Sequence, residues 1–277
     1  MPIPDCPSRL DNWAEVPIPH LESQERLRSR NGLKARRAEA LRESDDAAAA
    51  FYKRRLKELP SSGYSSLVWE ANGAQAWRVF QIDGVPCAEL ETPTGRGAPS
   101  LPFEVNPNIL DGEPYRNHRR QPSRAVHVSD GWLVAFNRGE FGAWLAWFGE
   151  QGDSTYVVSN HQVVDFVEVS GHLMAVQGLA HLGSSRGSLV QLVHAENRWI
   201  AEEVAQLPAA PGAAVSHGTS ILIVHGEGLS RTTASGEMVE LVRFPSLGML
   251  YPNSAIVHEQ MLYAGMRGYV WEVDLQL

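Results

Sequence analysis

The sequence predicts an all-β protein, a β-propeller of about five blades preceded by an N-terminal α-helical arm. Three observations predict it. Beyond residue 60 the chain is filled with short apolar or alternating runs, such as WLVAF, TYVVS, LVQLV, ILIVHG and YVWEV, each bounded by Gly, Ser, Asn or Asp. A strand–turn–strand pattern recurs along this part, with Gly131, Gly171 and Gly218 spaced by 40 and 47 residues. Helical periodicity is confined to the segment before residue 60. A period of about 40–50 residues with several short strands per unit is that of a propeller, because one four-stranded sheet cannot bury both faces alone and radially stacked sheets bury each other.

The elements follow in chain order. Residues 1–20 carry Pro2, Pro4, Pro7, Pro17 and Pro19 and read as an extended arm. Residues 21–58 hold no proline and are rich in strong helix formers. Leu41, Ala48, Tyr52, Leu56 and Leu59 form one stripe at helical spacing, Asn31 and Gly32 separate a short first helix from a longer second one, and Pro60 and Gly63 stop it. The expected organisation is an arm over 1–60 and a propeller over 61–277, with a Pro/Gly/Asn-rich insertion at 92–123.

Four segments carry the repeat: RAVHVSDGWLVAF, DFVEVSGHLMAV, AAVSHGTSILIV and SAIVHEQMLYAG. A weaker first copy is SLVWEANGAQAWRVF, with its turn expected at Asn72 and Gly73. The blades fall at about 64–91, 124–158, 163–206, 212–243 and 253–275. The last has only three strands, and residues 64–70 are the candidate for its outer one.

The chain has 277 residues and a formal net charge of −8, with 43% hydrophobic and 20% charged residues. This excludes a wholly disordered, collagen-like or disulfide-scaffold chain. The helical arm is basic, with 11 Lys/Arg against 7 Asp/Glu. The remainder is correspondingly acidic, which argues against a nucleic-acid partner. No run reaches the ~18 apolar residues that a membrane span needs. The opening MPIPDCPSRL lacks the basic and apolar regions of a signal peptide, so a cytoplasmic location is expected. Cys6 and Cys87 are expected as two free thiols.

DGWLVAFNRGEFGAWLAWF, GLAHLGSSRG and YPNSAIVHEQMLYAGMRGYVWEV resemble stretches of uncharacterised bacterial propeller-like proteins. The PNS…LYAGMRGYV portion is also similar to the strand-and-turn pattern of gluconolactonase-like and NHL-type propellers. These are matches of repeat shape and imply a fold, not a reaction.

In a propeller two sets of loops meet on one rim: the connection entering each blade, and the loop between its second and third strands. Here the second set is 137–142, 177–187, 225–228 and 266–268, and the entering set is 159–162, 208–212 and 245–253. They gather the candidate binding residues Asn137, Arg138, Glu140, Asn160, His161, His181, Arg186, Glu227, Tyr251, Asn253 and Arg267. Nucleotide loop, zinc signature and nucleophile elbow are all missing, and Glu140, Asp165 and Glu227 do not make a glycosidase pair. The expectation is a non-catalytic protein-binding propeller with no cofactor. Its partner would be a protein, in the concrete form a toxin or effector that a bacterial immunity protein neutralises. The alternative is a metal-assisted lactonase- or glycosidase-like hydrolase, with Ca²⁺ held by Asn160, Asn253 and a carboxylate such as Glu140.

Overall fold

The computed structural model describes residue 71 and residues 73–91, 99–105, 121–244 and 247–276. The helical arm and the 64–70 outer-strand candidate lie outside the described residues. Those residues form five antiparallel sheets, each an up-and-down meander of consecutive strands. The first pairs β1 (Trp77–Ile82) with β2 (Val85–Leu90). The second holds β3 (Arg124–Val128), β4 (Gly131–Asn137), β5 (Ala143–Phe148) and β6 (Thr155–Ser159). The third holds β7 (Val163–Val169), β8 (His172–His181), β9 (Ser184–Ala195) and β10 (Arg198–Leu207). The fourth runs β11 (Pro211–His217), β12 (Ser220–His225), β13 (Gly228–Thr233) and β14 (Met238–Arg243). The fifth has three strands, β15 (Ser254–His258), β16 (Met261–Met266) and β17 (Tyr269–Asp274).

The radial order follows from the contacts of the first strands. β3 lies against β7, β7 against β11, β11 against β15, and β15 against β1. Separate apolar clusters fill the wedges between consecutive sheets. Leu133, Leu145, Ala175 and Val190 join the second sheet to the third. Met174, Leu189, Ile221 and Ile223 join the third to the fourth. Leu222, Leu229, Leu262 and Trp271 join the fourth to the fifth, and Val79, Ala88, Ile256 and Val270 join the fifth to the first. This is β-propeller architecture.

The strand sequences explain their places. A second strand lies between two sheets and is covered on both faces, so it reads as an unbroken apolar run; Leu133 to Phe136 and Ile221 to Val224 are all buried. A fourth strand has one dry face, so β10 alternates (RWIAEEVAQL) between intermediate and exposed positions along most of its length. The described part of the 92–123 insertion is not a free loop, since Leu101, Phe103 and Val105 pack on the face of the second sheet turned away from the third, with the rings of Phe103 and Phe148 5.5 Å apart.

Two expectations need correction. The turn expected at Asn72 and Gly73, and the strand expected before it, fall largely outside the described residues. The described hairpin of the first sheet turns at Asp83 and Gly84, both at positive φ. The segment 177–187 is mostly paired strand, because β8 and β9 extend until only Leu182 and Gly183 remain as the turn. Cys87 is disulfide-bonded, not a free thiol. Disulfides persist in oxidising compartments, so the cytoplasmic expectation loses the support it drew from free thiols. No helix among the described residues is long and apolar enough to cross a membrane.

Candidate functional site

The two loop sets do meet on one rim, and hydrogen bonds join them from sheet to sheet. Between the second and third sheets, Gln162 Nε2 donates to the Gly139 carbonyl, and the His181 and Glu140 side chains come into contact without a hydrogen bond. Between the third and fourth, the Ala210 N–H donates to Ser185 Oγ at 2.8 Å, and the Gly226 N–H to the Ala210 carbonyl at 3.0 Å. Between the fourth and fifth, the Gly248 N–H reaches the Gly226 carbonyl at 3.0 Å, and the Arg267 N–H the Leu250 carbonyl at 2.7 Å. Between the fifth and first, the Gly268 N–H reaches the Gln75 carbonyl at 2.9 Å. The rim is a braced belt of backbone.

The candidate residues divide by what they touch. His181 and Glu140 are brought together. So are Tyr251 and Arg267, whose guanidinium lies 4.1 Å from the ring centroid. Asn137 serves its own turn, its Oδ1 accepting the Gly139 N–H at 2.9 Å. Arg138 lies over the Trp144 ring. His161 Nδ1 meets Ser159 Oγ at 2.9 Å, and burial lowers its pKa while Glu203 opposes the shift. Asn253 Nδ2 donates to the Trp77 carbonyl, and its Oδ1 accepts from Ser254, so it fastens the fifth sheet to the first. Glu227 faces Arg243 at 3.9 Å with both side chains at least half exposed, a pair worth little. Asn160 and Arg186 are exposed. Of the metal-ligand trio, then, Glu140 is in contact with His181, Asn253 is held between two sheets and Asn160 faces solvent. Among the described residues no cluster of three or more His, Cys, Asp or Glu is placed to hold an ion.

His225, which reads in the sequence as a turn residue, ends β12 and is fully buried. Its Nε2 meets Ser230 Oγ at 2.9 Å, and burial holds its pKa down at about 4, so it is a neutral core histidine.

Two features of the rim go beyond the sequence reading, which places only Tyr251 and Asp165 of their residues near the rim. The first is apolar exposure. Phe141, Leu182, Met249 and Tyr251 stand on three rim segments with exposures of 59%, 91%, 57% and 59%. Leu182 and Tyr251 hold positive φ of 46° and 52°, a region costly for bulky side chains. The second is a charged cavity at the centre. Arg78, Arg124 and Asp165 enter it from β1, β3 and β7. Arg124 reads in sequence as part of the basic cluster YRNHRRQPSR; it is the first residue of β3, and its Nε lies 3.6 Å from Asp165 Oδ1.

No protein-family model matches the chain, and no curated protein matches it. Among solved structures it is similar to the computationally designed Ika8 protein, at 10% identity and a TM-score of 0.38, covering 70% of this chain and 57% of that one. The β-propeller domain of Myceliophteria thermophila Cps50 (Swd1) gives the same identity and TM-score, over 69% of this chain and 62% of that one. The virginiamycin B lyase of Staphylococcus aureus does so over 74% and 85%.

Proposed function

We propose that the chain is a closed five-bladed β-propeller that binds a protein partner through its loop rim. The observation that supports this is the placing of Phe141, Leu182, Met249 and Tyr251 around one braced rim. Exposed apolar groups of this size, set on a rigid frame among the polar residues Glu140, His181 and Arg267, match the anatomy of a protein-binding patch, with apolar contacts inside a polar surround. Holding Leu182 and Tyr251 at positive φ costs folding energy, and an interface that uses their side chains supplies a reason for that cost. In its finer form the partner is a toxin or effector enzyme whose working surface the rim covers.

The test is differential capture. Full-length protein is tagged and used to retain companions from its own host in three forms: wild type, Phe141→Asp/Leu182→Asp, and Asp83→Lys/Glu259→Lys on the opposite turns. A companion held by the first and third and lost by the second, with all three melting alike, is the expected result. Companions that ignore the Phe141→Asp/Leu182→Asp change refute the rim reading, and a companion that is a hydrolase or toxin inhibited on binding establishes the finer form.

A further inference from the structure

The centre of the rim holds a cavity of about 290 Å³ lined by Arg78, Ser123, Arg124, Asp165, Asn253 and Ser254 with small apolar neighbours. Arg78, Arg124, Asp165 and Ser254 all fall within the first three residues of β1, β3, β7 and β15. These strands run from the rim to the opposite turns, so the cavity opens on the rim. Its lining carries two cations against one carboxylate.

That carboxylate is already engaged. Asp165 Oδ1 accepts the Phe166 N–H at 3.2 Å and faces Arg124, and the side chain is bonded by the Ala214 N–H of β11 as well. Arg124 directs Nε to Asp165 and Nη1 to the Ser123 carbonyl at 2.7 Å, which leaves further N–H groups of its guanidinium for an acceptor. Arg78 pairs with Glu89 at 3.6 Å with half its side chain exposed, a contact too weak to hold it against a better acceptor. The two guanidiniums also sense each other, since Arg78 is among the groups that lower the Arg124 pKa after burial itself. Glu91, outside the lining, senses both guanidiniums as well, and burial raises its pKa.

We propose that this cavity is a binding site for a monocarboxylate, gripped between Arg78 of β1 and Arg124 of β3. A guanidinium fork matches a carboxylate in shape and charge. One negative charge balances the lining, whereas a phosphate dianion would face Asp165 at close range. The volume is at the small end of ligand pockets, which fits a small organic acid or the terminal residue of a chain.

Calorimetry on the full chain tests this, with acetate, glycolate and inorganic phosphate as probes. The expected result is saturable binding of both carboxylates at millimolar concentration, tighter than phosphate. Arg78→Gln should weaken it by about tenfold or more, the loss of a charge-assisted hydrogen bond, with the unliganded melting temperature unchanged. Arg78→Lys, which keeps the charge without the fork, should lie between the two and covers the case in which the Gln variant folds poorly. Absence of binding by both acids, preference for phosphate, or unchanged affinity in either variant overturns the proposal. A tetrapeptide with a free C-terminus beside its amidated form separates the sources. If the free form binds more tightly than acetate and the amidated form does not bind, the ligand is a protein terminus; if acetate binds better, it is a free acid. The site does not rest on the rim reading, because Arg78→Gln leaves Phe141, Leu182, Met249 and Tyr251 in place. Carboxylate binding and partner capture can therefore fail separately.

Discussion

The two ends of the sheets are built from the same hairpins and are not alike. At the rim end stand Leu90, Phe141, Leu182, Met249 and Tyr251, five of the eight large apolar residues exposed among the described residues. The other three, Val157, Ile200 and Val239, lie on the outermost strands β6, β10 and β14, and none on the opposite turns. The same division holds for backbone strain. At the opposite turns the non-glycine residues at positive φ are Asp83, Ser170, Glu196, Asn197 and Glu259, all polar; at the rim they are Leu182 and Tyr251. Polar groups at the opposite end serve the fold. Asp130 accepts from Trp199 Nε1 at 3.0 Å and meets His194 Nε2 at 3.3 Å, tying the second sheet to the third. The lesson is that one end is closed by turn chemistry and the other exposes large apolar side chains.

The largest expected effect sharpens the contrast at the rim's centre. Asp165→Ala leaves Arg124 largely buried without its counter-charge, which should cost about 3–5 kcal/mol. Adding Arg124→Leu should recover most of that loss in urea unfolding. If the double variant is no more stable than the single, Asp165 acts through its backbone hydrogen bonds from Phe166 and from Ala214 of β11 instead.

Next come the glycines at the opposite end, which the repeat makes equivalent and the structure does not. A Cβ on Gly131, at φ 147°, would sit 2.1 Å from the Phe148 carbonyl oxygen. Gly218, at φ 58°, faces open space. Gly131→Ala should cost about 3 kcal/mol from the clash and the φ penalty together, while Gly218→Asn should be nearly neutral because Asn tolerates that conformation. Equal effects in thermal melts would contradict this distinction.

His225 gives the rim end a pH signature. Its folded pKa is about 4, below the ordinary 6.5. Its contribution is therefore fully present above pH 6.5 and is lost as pH falls from 6.5 towards 4, by up to about 3 kcal/mol. Asp165 and Glu91, with raised pKa values, act in the opposite sense over the acid part of that range. The measurement is thus the difference between wild type and His225→Gln, which should shrink as pH falls from about 7 to about 4.5. A constant difference removes His225 as the cause.

The smallest effect tests strain against function at one residue. Leu182→Asn should stabilise the fold by up to about 1 kcal/mol, since Asn accepts positive φ more readily, yet weaken partner capture. A variant that is both more stable and fully competent would separate the strain from the binding.

Much of the sheet plan was legible. The second strands are covered on both faces, so Leu133 to Phe136 and Ile221 to Val224 announce themselves as apolar runs, and the turn glycines set the frame. The expected blade limits of 124–158, 163–206, 212–243 and 253–275 fall within two residues of the observed sheets. In the first sheet Asn72 and Gly73 carry the same turn signal as Asp83 and Gly84, where the described hairpin turns, and local sequence does not rank them. The site was legible only as a set of loops. An exposed Leu182 and a buried Leu189 read alike in a sequence, and nothing near Arg78 marks it as the neighbour of Arg124.

By itself the sequence determined period, strand order and which ends of the strands share a rim, because turn propensity and burial pattern are local properties. Tertiary structure alone decided which charges meet. Arg78, Arg124 and Asp165 come from strands up to 87 residues apart in sequence, and they converge because the first strand of every sheet lines the same axis. It also decided that His225 is dry and Leu182 wet, since exposure depends on which neighbouring sheet covers a side chain, and that is fixed only when the sheets stack.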